Sequence, residues 1–418
     1  MGQISEELLR AGDENSALFL VLIIKNQRIQ RIIGIKENGF WISNPATIKE
    51  VVVKHYVGRF AESIKPRPKF SSPKFKKLPP HAAKYLEEPF SLDEIKAAIW
   101  ACGSDRASGS DGFSFALLKQ HWEVIGGDFY FAVKHFEATW HIDRGCNSSF
   151  ITLIPKVQDP ITINDYRPIS LIGCLYKTIS KVLAKRVKKV VHLVVSNTQT
   201  TFVKNRHILD GPLILNEVIS WIKKNKKKAF TFKAFDSLSW EYLDSNLRQM
   251  NFRSKWRTWT QACLSSARVS VLINGSTTSE FCMERGLRQG DPLSPFLFII
   301  AAEEKGVFEG IQLPRLGPNI SHLQYVDDVI FMGKWSPENI KNIIRILRCF
   351  ELASGLKINL AKCKLYGFRI QSYEYETVAR SCSCLIGSLP FSYLGLPVGV
   401  SMARMTHWRK IIERFKRG

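Results

Sequence analysis

Apolar positions along this chain switch repeatedly between two periods. From Ser91 to about Phe331, stretches with helical spacing alternate with stretches of strand-like spacing, which predicts an α+β fold. Ser91-Leu-Asp-Glu94 sets a hydroxyl ahead of an amphipathic run, with an acid three residues on, and predicts a helix start. Within Tyr176 to Val195, the residues Ile179, Leu183, Val187 and Val190 to Val191 share one face with lysines and arginines opposite, as in an amphipathic surface helix. His322 to Phe331 carries strand formers on both sides of Asp327 and Asp328, and predicts a hairpin whose tight turn the two aspartates make. A further amphipathic helix is predicted from Pro337 to a stop at Gly355.

Three stretches emerge, with no internal repeat. Met1 to about Pro89 combines a helical opening with a basic, Pro-rich segment from Ile64 to Pro80 that reads as a linker. The second stretch is the alternating one, and the third runs from Pro337 to a basic terminus, Trp408 to Gly418.

Charge adds a partner to this picture. With 60 Lys and Arg against 37 Asp and Glu, the formal charge is +23, and a polyanion is the expected partner. The runs Lys65 to Lys77 and Lys223 to Lys228 suit phosphates and equally suit solvated faces. Hydrophobic residues at 45 % and aromatics at 11 % supply enough material for a core, and the length fits two or three domains or subdomains. The longest apolar run, Ala17 to Ile24, falls well short of the roughly 20 residues that span a bilayer, so no membrane span and no secretion are expected. Nine scattered cysteines with no CxxC spacing read as reduced residues of an intracellular protein.

Two blocks carry candidate chemistry. In Arg285-Gly-Leu-Arg-Gln-Gly-Asp-Pro-Leu-Ser-Pro295, Gly286 and Gly290 permit close backbone approach to a ligand. Asp291-Pro292 suits the cap and first position of a helix over Leu293 to Ala302, with Arg288 and Gln289 just ahead of it. That arrangement fits a phosphate or nucleotide seat, and fits a well-capped buried helix as well. Paired acids at Asp327 and Asp328 suit a divalent metal, although an Asp-Asp turn is also ordinary loop chemistry.

The blocks also occur in a familiar order. Gly12 to Ser16, Ser110-Asp-Gly-Phe113, Asn147 to Lys156, Asp165-Tyr-Arg-Pro-Ile-Ser-Leu-Ile-Gly173, Gln199 to Asp210, Ala234 to Trp240, the Arg285 and Tyr325 blocks, Ser354 to Asn359 and Tyr393 to Pro397 together resemble the reverse transcriptase domain of LINE-type (non-LTR) retrotransposons, of a plant-like kind. The resemblance implies a right-hand polymerase with fingers, palm and a truncated thumb, copying RNA into DNA from a 3′ hydroxyl. It implies a linker region over 1–90, fingers and palm over 91–335, and the end of the palm with the start of the thumb over 336–418. Asp327 and Asp328 would hold Mg²⁺, Gln289, Arg288 and Gly290 would meet the incoming nucleotide and template, and Phe235 would be the steric gate. Lys357 would lie near nucleotide phosphates, with Lys156, Arg167 and Arg206 near triphosphate or template. The implied partners are an RNA template, an RNA/DNA or DNA primer and deoxynucleotides, in an intracellular and plausibly nuclear setting, with no membrane and no protein partner.

The resemblance also marks two losses. In the family the strand before the gate reads approximately Lys-Val-Asp-Phe-Glu-Lys-Ala-Phe-Asp-Ser, and its first aspartate bridges the metals. Here the segment is Ala229-Phe-Thr-Phe-Lys-Ala-Phe-Asp-Ser237. An ungapped alignment puts Phe230 at the metal position, and a gapped one deletes Val-Asp-Phe-Glu-Lys. Asp236, about 20 Å along an extended strand from residue 230, is expected not to replace the ligand, whereas Glu241 or Asp244 would have to do so in an active enzyme. The palm helix after the Arg285 block looks about ten residues short, a loss of about 15 Å. A decayed copy lacking an upstream endonuclease, with impaired or absent polymerase activity, is the expectation.

Overall fold

The computed structural model of the chain describes residues 31–62, 67–68, 75–104, 107–195, 207, 209–234, 238–301, 310–313, 319–320, 322–325, 328–354, 363–394 and 396–400. A short hairpin comes first, β1 (Ile35–Glu37) and β2 (Phe40–Ile42), reversing at Asn38 and Gly39, both at positive φ. Helices α1 (Pro45–Phe60), α2 (Pro80–Leu86), α3 (Leu92–Trp100), α4 (Phe115–Gln120) and α5 (Trp122–Thr139) follow. Strands β3 (Ser148–Pro155) and β4 (Tyr166–Ile172) lead into α6 (Cys174–Val190) and α7 (Asp210–Lys224). Next come β5 (Ala229–Ala234), α8 (Trp240–Gln249), α9 (Ser254–Ser265), β6 (Arg268–Ile273), β7 (Ser276–Thr277), β8 (Phe281–Cys282) and α10 (Ser294–Ala301). The chain continues through β9 (Ile311–Gln312), β10 (Asn319–Ile320), β11 (His322–Tyr325), β12 (Asp328–Lys334), α11 (Pro337–Ser354), β13 (Lys364–Phe368), α12 (Ser372–Ser381), β14 (Leu385–Ile386), β15 (Phe391–Tyr393) and β16 (Leu396–Val398).

Two five-stranded sheets organise these elements. The first runs β4-β3-β6-β7, with β8 also on β6, and the second runs β11-β12-β5-β13-β14. In the second sheet β5 is central, antiparallel to both β12 and β13. Helices and strands in alternation, as the apolar periods predict, give the mixed α+β architecture expected of a polymerase domain.

The Ser91 start is observed, since its side chain accepts from Glu94 N–H at 3.1 Å at the head of α3. Helix α6 forms where predicted but is central, not superficial. Ile179, Leu183, Val187 and Val190 are buried, and so is Arg186 on the basic side. The Arg186 guanidinium lies 4.6 Å from the Phe90 ring centroid and pairs with Glu94 at 2.6 Å. It also donates to the carbonyls of Leu86 and Pro89 at 3.1 and 3.0 Å. A charge this deeply placed is tolerable because each face of the guanidinium meets a partner.

The N-terminal stretch packs more tightly than a linker would. Ile48, Val52, Tyr56, Phe60, Phe75 and Leu78 share one buried cluster with α6, α9 and α10. Arg67, inside the Pro-rich segment, is buried against Glu62 at 2.7 Å and donates to Leu352 O at 2.9 Å. The boundary expected near 335 likewise crosses shared structure. β5, β11 and β12 form one sheet with β13 and β14, and Phe230 of β5 is buried with Ile340, Ile343 and Leu347 of α11. Among the described residues no helix is long and apolar enough to cross a membrane.

Candidate nucleic-acid and nucleotide site

The Arg285 block is a loop pinned at nearly every residue before α10 begins. Glu284 and Arg285 N–H groups donate to Phe60 O at 3.0 and 3.1 Å, and Arg285 Nε donates to Arg59 O at 3.0 Å. These donors satisfy carbonyls that the end of α1 leaves open. Gly286 N–H donates to Leu238 O at 2.6 Å, and the Trp240 indole donates to Gly286 O at 2.7 Å. The glycines serve close approach, but to the protein itself. At Gly290, with φ +109°, an added Cβ would stand 3.0 Å from Ser170 O, and at Gly286 one would stand 3.3 Å from the Phe60 ring. Ser170 N–H donates to Gln289 O at 2.8 Å, fastening the loop to the edge of β4.

Arg288 and Asp291 face inward together. The Arg288 guanidinium lies 4.3 Å from the Tyr176 ring centroid, donates to Asn147 O at 3.2 Å and stands 3.5 Å from the Asp291 carboxylate. Asp291 also accepts from the Tyr176 hydroxyl at 2.6 Å, from the Ser180 hydroxyl, and from Leu293 N–H at 2.9 Å. Burial, and then the neighbouring Asp291 carboxylate, push the Tyr176 phenol well above its ordinary value, so it remains a donor. Arg288 is thus committed to the scaffold, whereas Gln289 is exposed. The predicted cap shifts too. α10 begins at Ser294, with Leu293 O accepting from Phe296 N–H at 3.0 Å, while the Asp291 side chain closes a turn two residues earlier.

The Ser110-Asp-Gly-Phe113 block works by the same logic. Asp111 accepts from Cys174 N–H at 2.5 Å and so caps α6 from a distant part of the chain. Gly173 leaves room for this, since a Cβ there would come within 2.8 Å of the Asp111 carboxylate. On the β3–β4 hairpin, Arg167 is exposed opposite Ile154, and exposed Lys156 donates to Asn164 O at 2.8 Å. The loop between them is braced by Asp165, whose carboxyl the Thr162 N–H holds below its usual range.

In the second sheet the predicted hairpin forms, one residue out of step with expectation. The β11–β12 ladder closes with Tyr325 opposite Asp328, so Asp328 opens a strand instead of sharing the turn. On the other side of β12, Val329 lies opposite Ala234 and Gly333 opposite Phe230. Phe230 is therefore five residues from the level of Asp328, about 16 Å along the strand at roughly 3.3 Å per residue, and it is fully buried. The ungapped alignment, which set a metal ligand at residue 230, does not describe this strand. The gapped one is compatible with this register. The distance counted against Asp236 started from residue 230 and so loses its reference.

The Mg²⁺ pair implied by the resemblance needs carboxylates from both strands. β5 contains no Asp or Glu, and the described residues hold no group of three or more His, Cys, Asp or Glu arranged for a metal. Among the described residues no donor set for the ion is assembled. Of the suggested substitutes, Asp244 is held by Arg257 at 2.7 and 2.6 Å. It lines a cleft of about 650 Å³ with Glu241, Glu62 and Glu284, to which neither β5 nor β12 contributes. Asp327, Phe235, Lys357 and Arg206, with Asp236 and the segment after Ala301, lie outside the described residues. Sequence reasoning missed Tyr176, Ser180 and Asn147 as partners of the Arg285 block, and only the helical spacing of Tyr176 and Ser180 hinted at a shared face.

Comparison with known proteins sets this geometry in context. The profile of a family described as reverse transcriptase (RNA-dependent DNA polymerase) matches residues 154–398. The chain is 27 % identical over 290 residues to the transposon TX1 uncharacterized 149 kDa protein of Xenopus laevis, covering 66 % of this chain and 22 % of that protein. It is 28 % identical over 260 residues to a retrovirus-related Pol polyprotein from the type-1 retrotransposable element R2 of Popillia japonica, covering 58 % of this chain and 35 % of the other. With the corresponding polyprotein from the type-2 element R2DM of Drosophila melanogaster it shares 22 % identity over 353 residues, 80 % of this chain and 33 % of the other. The chain thus spans between about a fifth and about a third of the length of these relatives.

Proposed function

Since the chain belongs to the reverse transcriptase (RNA-dependent DNA polymerase) family, we propose that it is the fingers and palm of a non-LTR retrotransposon polymerase, one that binds RNA template and primer yet has impaired or absent polymerase activity. The observation that carries this reading is the register of the second sheet. With Val329 opposite Ala234, the described strand, Ala-Phe-Thr-Phe-Lys-Ala, runs to within one residue of the level of Asp328 without supplying a carboxylate. Lack of a carboxylate there would remove transition-state stabilisation on the order of several kcal/mol, while the described rungs from Ala229 to Ala234 are paired with β12.

Binding has separate support. The +23 charge and the exposed Gln289, Lys156 and Arg167 favour salt-sensitive association with RNA or an RNA/DNA duplex without strong sequence preference. By resemblance, Asp327, Asp328, Phe235, Lys357 and Arg206 complete the site. An active enzyme with Glu241 or Asp244 as substitute ligand is less well supported, because Arg257 already engages Asp244.

Primer extension on an RNA template with Mg²⁺ or Mn²⁺ tests the reading. The chain as it stands is compared with one in which Val-Asp-Phe-Glu-Lys is restored between Lys233 and Ala234. Extension by the restored protein alone is the expected result. Extension by the unaltered chain, abolished by Asp327→Ala, would overturn the inactive reading; extension by neither would move the fault to the shortened segment after α10.

A further inference from the structure

The cleft of about 650 Å³ that Asp244 lines lies between α8, α9 and the seam where the end of α1 meets the Arg285 block. Helix α9 has two unlike faces. Trp256, Trp259, Cys263 and Leu264 are buried, whereas Ser254, Thr258, Gln261 and Ser265 line the cleft. Steps of four, three and four residues set these uncharged polar side chains in one row along the helix. Glu241 and Asp244 of α8, with Glu62 and Glu284 of the seam, line the same cleft.

Two of those carboxylates show which chemistry the cleft accepts. Arg67 meets Glu62 through both oxygens, with Nε at 3.1 Å and Nη2 at 2.7 Å. Arg257 meets Asp244 in the same way, at 2.7 and 2.6 Å. Each is the two-pronged fit of guanidinium to carboxylate. The other two carboxylates are open to solvent. Glu284 gives one oxygen to Glu62 N–H at 2.8 Å, and among the described residues neither it nor Glu241 has an ion-pair partner.

Charge complementarity then selects the ligand. On a chain of formal charge +23, most of the surface repels a cationic ligand, so the open carboxylates concentrate it in the cleft. Phosphates are repelled there, which counts against RNA at this place. The volume suits a few side chains of a bound segment, and is too small for a folded domain.

We propose that this cleft is a docking groove for an extended, arginine-rich segment of a partner protein. Its guanidinium groups fork onto Glu241 and Glu284, while its backbone meets the row of hydroxyls and the amide along α9. The groove stands apart from the nucleic-acid reading and does not depend on it.

The test follows a fluorescently labelled decapeptide of alternating arginine and glycine by anisotropy with the full chain at low salt. Saturable binding is expected, and a lysine counterpart should bind more weakly, since an ammonium cannot fork. Glu241→Gln combined with Glu284→Gln should weaken the arginine peptide about five- to thirtyfold. Gln261→Lys, which adds a cation to the α9 row, should weaken it by an independent route. Glu123→Gln combined with Glu376→Gln makes the same charge change at exposed positions elsewhere, and should stay within about twofold. No saturable binding by the unsubstituted chain, unchanged affinity in the cleft variants, or an equal loss in the distant pair would overturn the groove.

Discussion

Around the Arg285 block, charged and polar side chains hold one another, with Arg288 against Tyr176 and Asp291, Asp291 against two hydroxyls, and Arg285 on the end of α1. In the second sheet the fastening is apolar, with Phe230, Leu365, Ile340 and Ile343 on one side and Ile330, Met332, Leu215 and Ile219 on the other. The first region cannot lose a charged residue without losing structure, because each one satisfies a buried neighbour. The second is indifferent to what its central strand carries beyond the packed rungs. The second sheet thus closes its ladder on apolar rungs, whereas the Arg285 block is fastened by paired charges and hydroxyls.

Phe230→Asp would break this contrast most severely. A lone carboxylate in the α11 core should cost more than about 5 kcal/mol, enough to exhaust the margin of an ordinary domain, and should melt the second sheet in amide exchange. A folded Phe230→Asp protein that extends primers would instead restore the ungapped alignment. Asp291→Ala comes next, at about 3–5 kcal/mol in urea denaturation, since it strands the buried Arg288 charge and two hydroxyls. A loss under about 1 kcal/mol would mean the network is not the fastening described.

The mildest test is pH. Burial lowers the His322 imidazole from 6.5 to about 4, so the folded second sheet keeps it neutral while the unfolded chain protonates it. Its contribution is fully present above pH 6.5 and is lost as pH falls toward 4, roughly 3 kcal/mol in all at about 1.4 kcal/mol per pH unit. His322→Gln should flatten that acid limb in denaturation curves collected between pH 7 and 4.

Local patterns predicted local structure well. The Ser91 cap, the α6 and α11 spans and the β11–β12 hairpin were legible because spacing and capping chemistry act within a few residues. Where a motif residue points was not legible. Gly290 and Arg288 look like ligand contacts in a linear string, yet Ser170 and Tyr176, which decide their roles, lie more than 100 residues earlier in the chain. The same blindness made the Arg67 region read as a linker, although its charge is paired and buried. For the metal site, the resemblance left two alignments of the β5 segment open, and the cross-strand register counts against the ungapped one.

The seam between α1 and the Arg285 block also sets a clock. Arg59 O waits for a donor 226 residues downstream. On a ribosome adding roughly 5–20 residues per second, that donor emerges on the order of 10 to 45 s later. Throughout that interval the last carbonyls of α1 lack these donors, so the end of that helix is completed only after the midsection of the chain has been made.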